Sequence, residues 1–308
     1  MTALENRMTE AGTRNHPTIG WIGLGKMGLP IVGNLLKAGF DVVVYDVDSR
    51  RTEELAQRGA RASKDIAGVA ASAHLIFSII PDDVALQKVA LGPQGVIANA
   101  RDGAVYIDMS TVSPAISQTV RDAARARAVD FIAAPVSGST VLAEKAQLTV
   151  FASGPKPAFE RTLPVFEALS ARQYYVGADQ QARYLKLAIN HLVGSTAVLL
   201  AEALTLGKKG GLDWAEMLTV IGDSAAASPL IKYKLEPLKQ RDFSPAFSST
   251  QMLKDMTLVV DAGDAAGVPM AAASLVREQF AQYVNGDGAE LDFFSIVRAV
   301  ESAAGIEG

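Results

Sequence analysis

The stretch Thr18–Gly39, TIGWIGLGKMGLPIVGNLLKAG, decides how the rest of the chain is read. A short apolar run of strand character leads directly into GLGKMG, and the residues after it read as a helix. The spacing of Gly23, Gly25 and Gly28 is that of a phosphate-cradling turn. The first glycine allows the tight turn, the second lets the backbone approach a pyrophosphate, and the third lets the helix pack on the strand. The helix N-terminus then offers free N–H groups and a partial positive charge. Glycine turns are common, so the loop alone is weak evidence. What strengthens it is Asp46, which closes the next apolar run, DVVVYD, about 20 residues further on, where a carboxylate can accept both ribose hydroxyls of a dinucleotide. The candidate cofactor residues are therefore Gly23, Gly25, Lys26, Met27, Gly28 and Asp46. The carboxylate would repel a 2′-phosphate, which favours NAD, while Arg50 and Arg51 close behind it keep NADP as the alternative.

Outward from this stretch, β-rich runs alternate with helical segments: DVVVYD, HLIFSII, AVYIDMS, DFIAAPV, LTVFASG and QYYVG. That rhythm predicts a doubly wound parallel sheet of Rossmann type over residues 18–180. After Gly177 the β-rich runs stop, and residues 181–308 read as an all-helical domain opened by a long helix from about Ala182 to Lys208. Gly210 and Gly211 end that helix, and Asp213 with Glu216 looks like a capping box for the next. The long helix is apolar around much of its circumference, notably in AVLLAEALTL, so this domain is also the expected seat of a homodimer or homotetramer. The alternative is that the other helices of the same chain wrap it. Residues 1–17 are polar, without the apolar core of a signal peptide, and are expected to be a disordered tail or an expression remnant.

Composition narrows the function. In 308 residues, 49% are hydrophobic, and 29 basic against 33 acidic residues give a net charge of −4 with no basic block, which disfavours nucleic acid as a partner. The chain has no cysteine, which removes disulfides, thiolate nucleophiles and thiolate metal sites, and permits a reducing compartment. His16, His74 and His191 are too scattered for a metal centre, so no metal is expected. The apolar region Leu185–Leu206 is interrupted by Lys186, Asn190, His191 and Glu202, which argues against a membrane span and for a cytoplasmic protein.

Five stretches, GLGKMGLPIVGNLLKAG, DMSTVSP, APVSG, YLKLAIN and LKDMTLVVDAG, together resemble the successive signatures of the β-hydroxyacid dehydrogenase family. That family includes 3-hydroxyisobutyrate dehydrogenases and the reductases of tartronate semialdehyde, glyoxylate and succinic semialdehyde. The resemblance runs from Thr18 to about Pro269. It implies a Rossmann domain joined by the long helix to a helical domain like that of 6-phosphogluconate dehydrogenase, with the active site in the cleft between them. It also implies a small carboxylate substrate, with hydride passing between its carbon and nicotinamide C4. Lys186 would be the acid/base. An amine partly desolvated beside apolar walls has its pKa lowered toward neutrality, as reversible proton transfer requires. Taken outside the motif, the same lysine reads as a snorkelling surface residue. Asn190, one turn on, would hold the substrate hydroxyl or the lysine in place.

The resemblance further implies that Ser137, Gly138 and Ser139 bind the substrate carboxylate, through consecutive N–H groups of the kind that form an anion nest. Pro81 and Thr111 would line the nicotinamide and ribose, or serve only as turn residues. Lys254 would reach cofactor and substrate, or form a solvated pair with its neighbouring aspartate. Phe247 would wall the substrate or belong to the core, and His191 is expected in the interior or an interface. Where the family shows further glycines, this chain has Ser139, Leu142 and Ala146, and Gln180 and Ala182 replace those before the lysine. These changes should alter the pocket's shape more than the hydride chemistry. Two other readings are an imine reductase on the same fold, against which Lys186 speaks, and a non-catalytic dinucleotide sensor, which would not need the Lys186–Asn190 pair.

Overall fold

The protein is described from a computed structural model that covers residues 17–306; the expected N-terminal tail falls almost wholly outside them. The chain divides into two compact units. One runs to Ser110 and from Ala115 to Gln180; the other joins Thr111–Pro114 to everything from Gln181 onward.

The first unit alternates as β1 (Ile19–Ile22), α1 (Gly28–Lys37), β2 (Val42–Tyr45), α2 (Ser49–Gln57), β3 (Arg61–Ala62), α3 (Ile66–Ser72), β4 (Leu75–Ser78), α4 (Asp83–Leu91), α5 (Val96–Asn99) and β5 (Val105–Asp108). It continues with α6 (Pro114–Ala126), β6 (Asp130–Ala133), β7 (Val136–Ser137), α7 (Thr140–Glu144), β8 (Leu148–Ser153), α8 (Lys156–Leu169) and β9 (Ser170–Gly177). The strand order is β3-β2-β1-β4-β5-β6, all parallel, followed by β8 and β7, with β9 beside β8. Order reverses between β1 and β4, the switch point at which such sheets bind ligands.

Parallel strands need cover on both faces, which is why their sequences are apolar throughout rather than alternating. Ile19, Trp21, Val44, Phe77 and Ile107 pack on one face against Ile31 and Leu35 of α1, Leu55 of α2 and Phe166 of α8. On the other face Gly20 lies against α3, where a Cβ would come within 2.7 Å of Val69. The sheet is not parallel to its end. β8 runs antiparallel to both β6 and β7. The link from β7 to β8 carries only the short α7 and returns directly, and an antiparallel neighbour is the pairing such a return allows.

The helical unit comprises α9 (Gln181–Lys209), α10 (Trp214–Asp223), α11 (Pro229–Gln240), α12 (Ser249–Ala266), α13 (Ala271–Asn285) and α14 (Val297–Ala303). By length and composition α9 could cross a membrane, yet 44% of its most apolar stretch is buried. It packs against α12, α13 and α14 as a core helix, through Leu187, Val198, Leu200 and Leu204. The Asp213 side chain caps α10 by accepting from the Glu216 N–H at 2.8 Å, while the two-way capping box is formed by Ser248 and Gln251 at the start of α12. Two buried acids tie the helices together. Glu301 accepts from Arg241 at 2.9 and 2.6 Å and from Lys208 at 3.1 Å, and Asp292 takes the Lys234 ammonium at 2.8 Å on both oxygens.

Candidate active site

At the carboxyl ends of β1 and β2 the three glycines divide their work. Gly23 has φ +95°, and a Cβ there would lie 2.2 Å from the Ile79 carbonyl oxygen, so the turn admits glycine alone. At Gly28 a Cβ would meet the Gly23 carbonyl oxygen at 2.0 Å, so the start of α1 is packed directly on the loop. Gly25 faces open space, with nothing within 4 Å of its missing Cβ. No side chain caps α1. A tight turn, a closely packed helix start and a clear approach between them are the requirements of a pyrophosphate site, so these residues fit a dinucleotide. Lys26 is exposed and Met27 half-buried within the loop.

Asp46 is pinned beside this loop. Its Oδ2 accepts from the Leu24 N–H at 2.6 Å and its Oδ1 from the Asp48 N–H at 2.8 Å. Arg50 is engaged with Asp48 at 2.9 and 2.8 Å, whereas Arg51 stands 3.7 Å from Asp46.

Ser137 ends β7, and Gly138 follows with φ +136°. The turn continues through Ser139 into α7, whose Ala143 carbonyl accepts from the buried Asn34 side chain of α1 at 2.7 Å. The loop is thereby anchored to the helix that begins at the glycine motif. Ala146 keeps a left-handed φ of 54° although it carries a Cβ. Pro81 is exposed just beyond β4.

The helical unit gathers a second group. Lys186 and Asn190 lie one turn apart on α9, and the buried Asn190 donates its side-chain amide to Asp255 Oδ2 at 2.5 Å. Lys254 donates to the Thr111 carbonyl oxygen at 2.7 Å and stands 2.7 Å from Asp255 Oδ1. The Lys254–Asp255 contact is close but poorly directed, so Oδ1 is left without a hydrogen-bond donor and can still accept one. Part of the Lys186 side chain meets solvent, yet burial dominates its titration and lowers the ammonium to about 8. The Asp255 charge opposes this shift and the Lys254 charge reinforces it. A lysine at about 8 can both give and take a proton near neutral pH. His191 shares a hydrogen bond with Ser195 at 3.2 Å, and Phe247 packs edge-on against Phe293 at 5.9 Å on the flank of the helical core.

Residues 18–177 match the family model described as the NAD binding domain of 6-phosphogluconate dehydrogenase. Residues 181–300 match the NAD-binding domain of NADP-dependent 3-hydroxyisobutyrate dehydrogenase. The chain belongs to the β-hydroxyacid dehydrogenase family. It is 32% identical to glyoxylate/succinic semialdehyde reductase 1 of Arabidopsis thaliana, over 92% of this chain and 98% of that protein. It is 33% identical to 2-(hydroxymethyl)glutarate dehydrogenase of Eubacterium barkeri, over 94% of this chain and 96% of that one. Its fold superposes on Mycobacterium tuberculosis 3-hydroxyisobutyrate dehydrogenase, in a structure with L-serine, at a TM-score of 0.85 and 26% identity, covering 92% of this chain and 99% of the other. It is thus an NAD(P)-dependent oxidoreductase of hydroxyacid and semialdehyde chemistry.

In this β-hydroxyacid dehydrogenase the helical unit brings Lys186, Asn190, Lys254 and Thr111 into one neighbourhood, while the glycine loop, Asp46, Pro81 and Ser137–Ser139 belong to the dinucleotide unit. Reading Lys254 and its neighbour as a solvated pair is wrong on one side: Asp255 is 1% exposed. Asp255 is the residue that sequence reasoning missed. The available signal was an acid placed inside an apolar helical run, LKDMTLVV, where an unpartnered carboxylate would be costly. The ring of Phe247 has a core partner, which accounts for its position without a substrate.

Proposed function

We propose that this dehydrogenase interconverts a small β-hydroxyacid, of the size of 3-hydroxyisobutyrate, and the corresponding semialdehyde, with Lys186 as the acid/base. The observation that carries this is the place of Lys186 on α9, one turn from the buried Asn190–Asp255 pair, with its ammonium lowered to about 8. A bound nicotinamide supplies or accepts the hydride. Lys186 Nζ gives its proton to the substrate oxygen in reduction and takes it back in oxidation. Asn190, fixed by Asp255, keeps that face of α9 in register with the substrate oxygen. Ser137 and the N–H groups at Gly138 and Ser139 receive the carboxylate as an anion nest, and Lys254 adds positive charge. The Arabidopsis and Eubacterium relatives, named for glyoxylate, succinic semialdehyde and 2-(hydroxymethyl)glutarate, support a carboxylate bearing a nearby carbonyl or hydroxyl.

NAD is the proposed cofactor in preference to NADP, because Asp46 is held in place as an acceptor and Arg50 is already engaged by Asp48. The protein is proposed to be cytoplasmic and to work as a homodimer or homotetramer. Leu192, Leu199 and Leu206, spaced seven residues apart on α9, are 68%, 64% and 76% exposed, a seam suited to the same helix of a second copy.

Absorbance at 340 nm with NAD or NADP against 3-hydroxyisobutyrate, glycerate, 4-hydroxybutyrate and β-hydroxy amino acids tests the reading. Turnover of one of these acids is expected. Silence across the panel, with cofactor binding shown separately, would overturn the substrate class.

A further inference from the structure

We propose that Asp108 is a positioning residue for the nicotinamide half of the cofactor, acting through Ser110 on the two connections that leave β4 and β5. In a sheet of this order the β1–β2–β3 half receives the adenosine and the β4–β5–β6 half receives the other nucleotide. Backbone pairing between β4 and β5 reaches Ser78 and Asp108, and one more bond, from Met109 N–H to the Ser78 carbonyl at 2.8 Å, carries it past the strand ends. Beyond that point a side chain takes over. The Ile80 N–H donates to Ser110 Oγ at 2.9 Å, so the segment leading to Pro81 is tied to the segment leading to Thr111.

The directions of these bonds follow from which groups can donate and which can only accept. An N–H can only donate, so Ser110 Oγ accepts from Ile80 and gives its own proton to Asp108 Oδ1 at 2.7 Å. Ser78 Oγ gives its proton to the same oxygen at 2.7 Å, which leaves the Tyr106 hydroxyl to donate to Ser78 at 2.8 Å. Ser78, Tyr106 and Asp108 are fully buried, and Ser110 is 1% exposed. A carboxylate in such a place is costly unless its acceptor capacity is used. Here it fixes the rotamers of two serines, and one of those serines sets the separation of the two loops. Met109 and Val112, buried on either side of Ser110, keep the later loop from yielding independently.

The proposal rests on the dinucleotide reading above, and binding measurements separate the two. NADH, or NADPH if that is the form bound, and the matching ADP-ribose lacking nicotinamide are titrated into wild type, Ser110→Ala, Ser78→Ala, Asp108→Asn and Asp108→Ala, with melting temperature recorded for each. Ser110→Ala is expected to weaken the reduced dinucleotide about tenfold, as loss of one directed hydrogen bond would, while ADP-ribose affinity stays within about twofold of wild type on the same scale. Ser78→Ala, which leaves the Ile80 bond in place, is expected to weaken the dinucleotide less. Asp108→Asn keeps an acceptor oxygen and is expected to retain more affinity than Asp108→Ala. Unchanged dinucleotide affinity in both Ser110→Ala and Asp108→Asn would overturn the proposal, as would equal loss of dinucleotide and ADP-ribose, which would make the network a general support of the sheet. Failure of wild type to bind either compound would instead remove the dinucleotide reading.

Discussion

Lys186 raises a question at the scale of one side chain: why an otherwise apolar helix carries an amine. Burial makes its charged form less favourable, and the Asp255 carboxylate limits how far that goes, so the amine titrates at about 8 instead of 10.5. The consequence has a definite sign. Reduction needs the ammonium, so its kcat/KM should be highest below pH 8 and fall as pH rises through that value, whereas oxidation should rise through it. Asp255→Asn removes the charge that holds the pKa up, so both inflections should move to lower pH. An unmoved inflection would mean that another group is being titrated. Lys186→Ala should lower turnover by about two to four orders of magnitude, the usual worth of a positioned acid/base, with cofactor affinity little changed. Asp46→Ala belongs to the same scale. It should lower affinity for NAD relative to NADP, and an unchanged ratio of dissociation constants would place the ribose elsewhere.

Among the elements, the segment from β7 through α7 shows what replacing glycine does. At position 146, where the resemblance led to an expectation of glycine, the chain has an alanine in a left-handed turn, with φ 54°. A Cβ in that conformation costs roughly 1–2 kcal/mol, part of which glycine would give back through its freer unfolded chain. Ala146→Gly should therefore raise stability by about 0.5–1 kcal/mol, read as a higher denaturant midpoint at constant slope. A lower midpoint would show that the alanine methyl has a packing role that outweighs its strain. The loop's hold on α1 through Asn34 and Ala143 explains how these substitutions can be absorbed without losing the turn at Gly138.

For the whole molecule, the exposed leucines of α9 bear on association. An antiparallel pairing of α9 about a two-fold axis at Leu199 would set Leu192 against Leu206 of the second copy and bring Leu199 against its own mate. Leu199→Glu should then place two like charges together and yield monomers by light scattering, at a concentration where wild type is oligomeric. Persistence of the oligomer would move the interface off this face. At this scale the sequence already determined a good deal. The alternation of apolar runs with helical segments, followed by helices alone, is written in local periodicity, because strands and helices declare their faces every two or 3.6 residues. The glycine loop and Asp46 were legible for a related reason: a tight turn and a strand end fix their places within about 20 residues of one another. Long-range pairings were not legible. That β8 reverses direction, that Asp255 lies under Asn190 from 65 residues away, and that Tyr106, Ser78, Asp108 and Ser110 close one buried network are products of register and packing. Only the tertiary structure decides which polar groups share a buried volume, and the pKa of Lys186 is set by that volume: by the water it excludes and the charges it encloses.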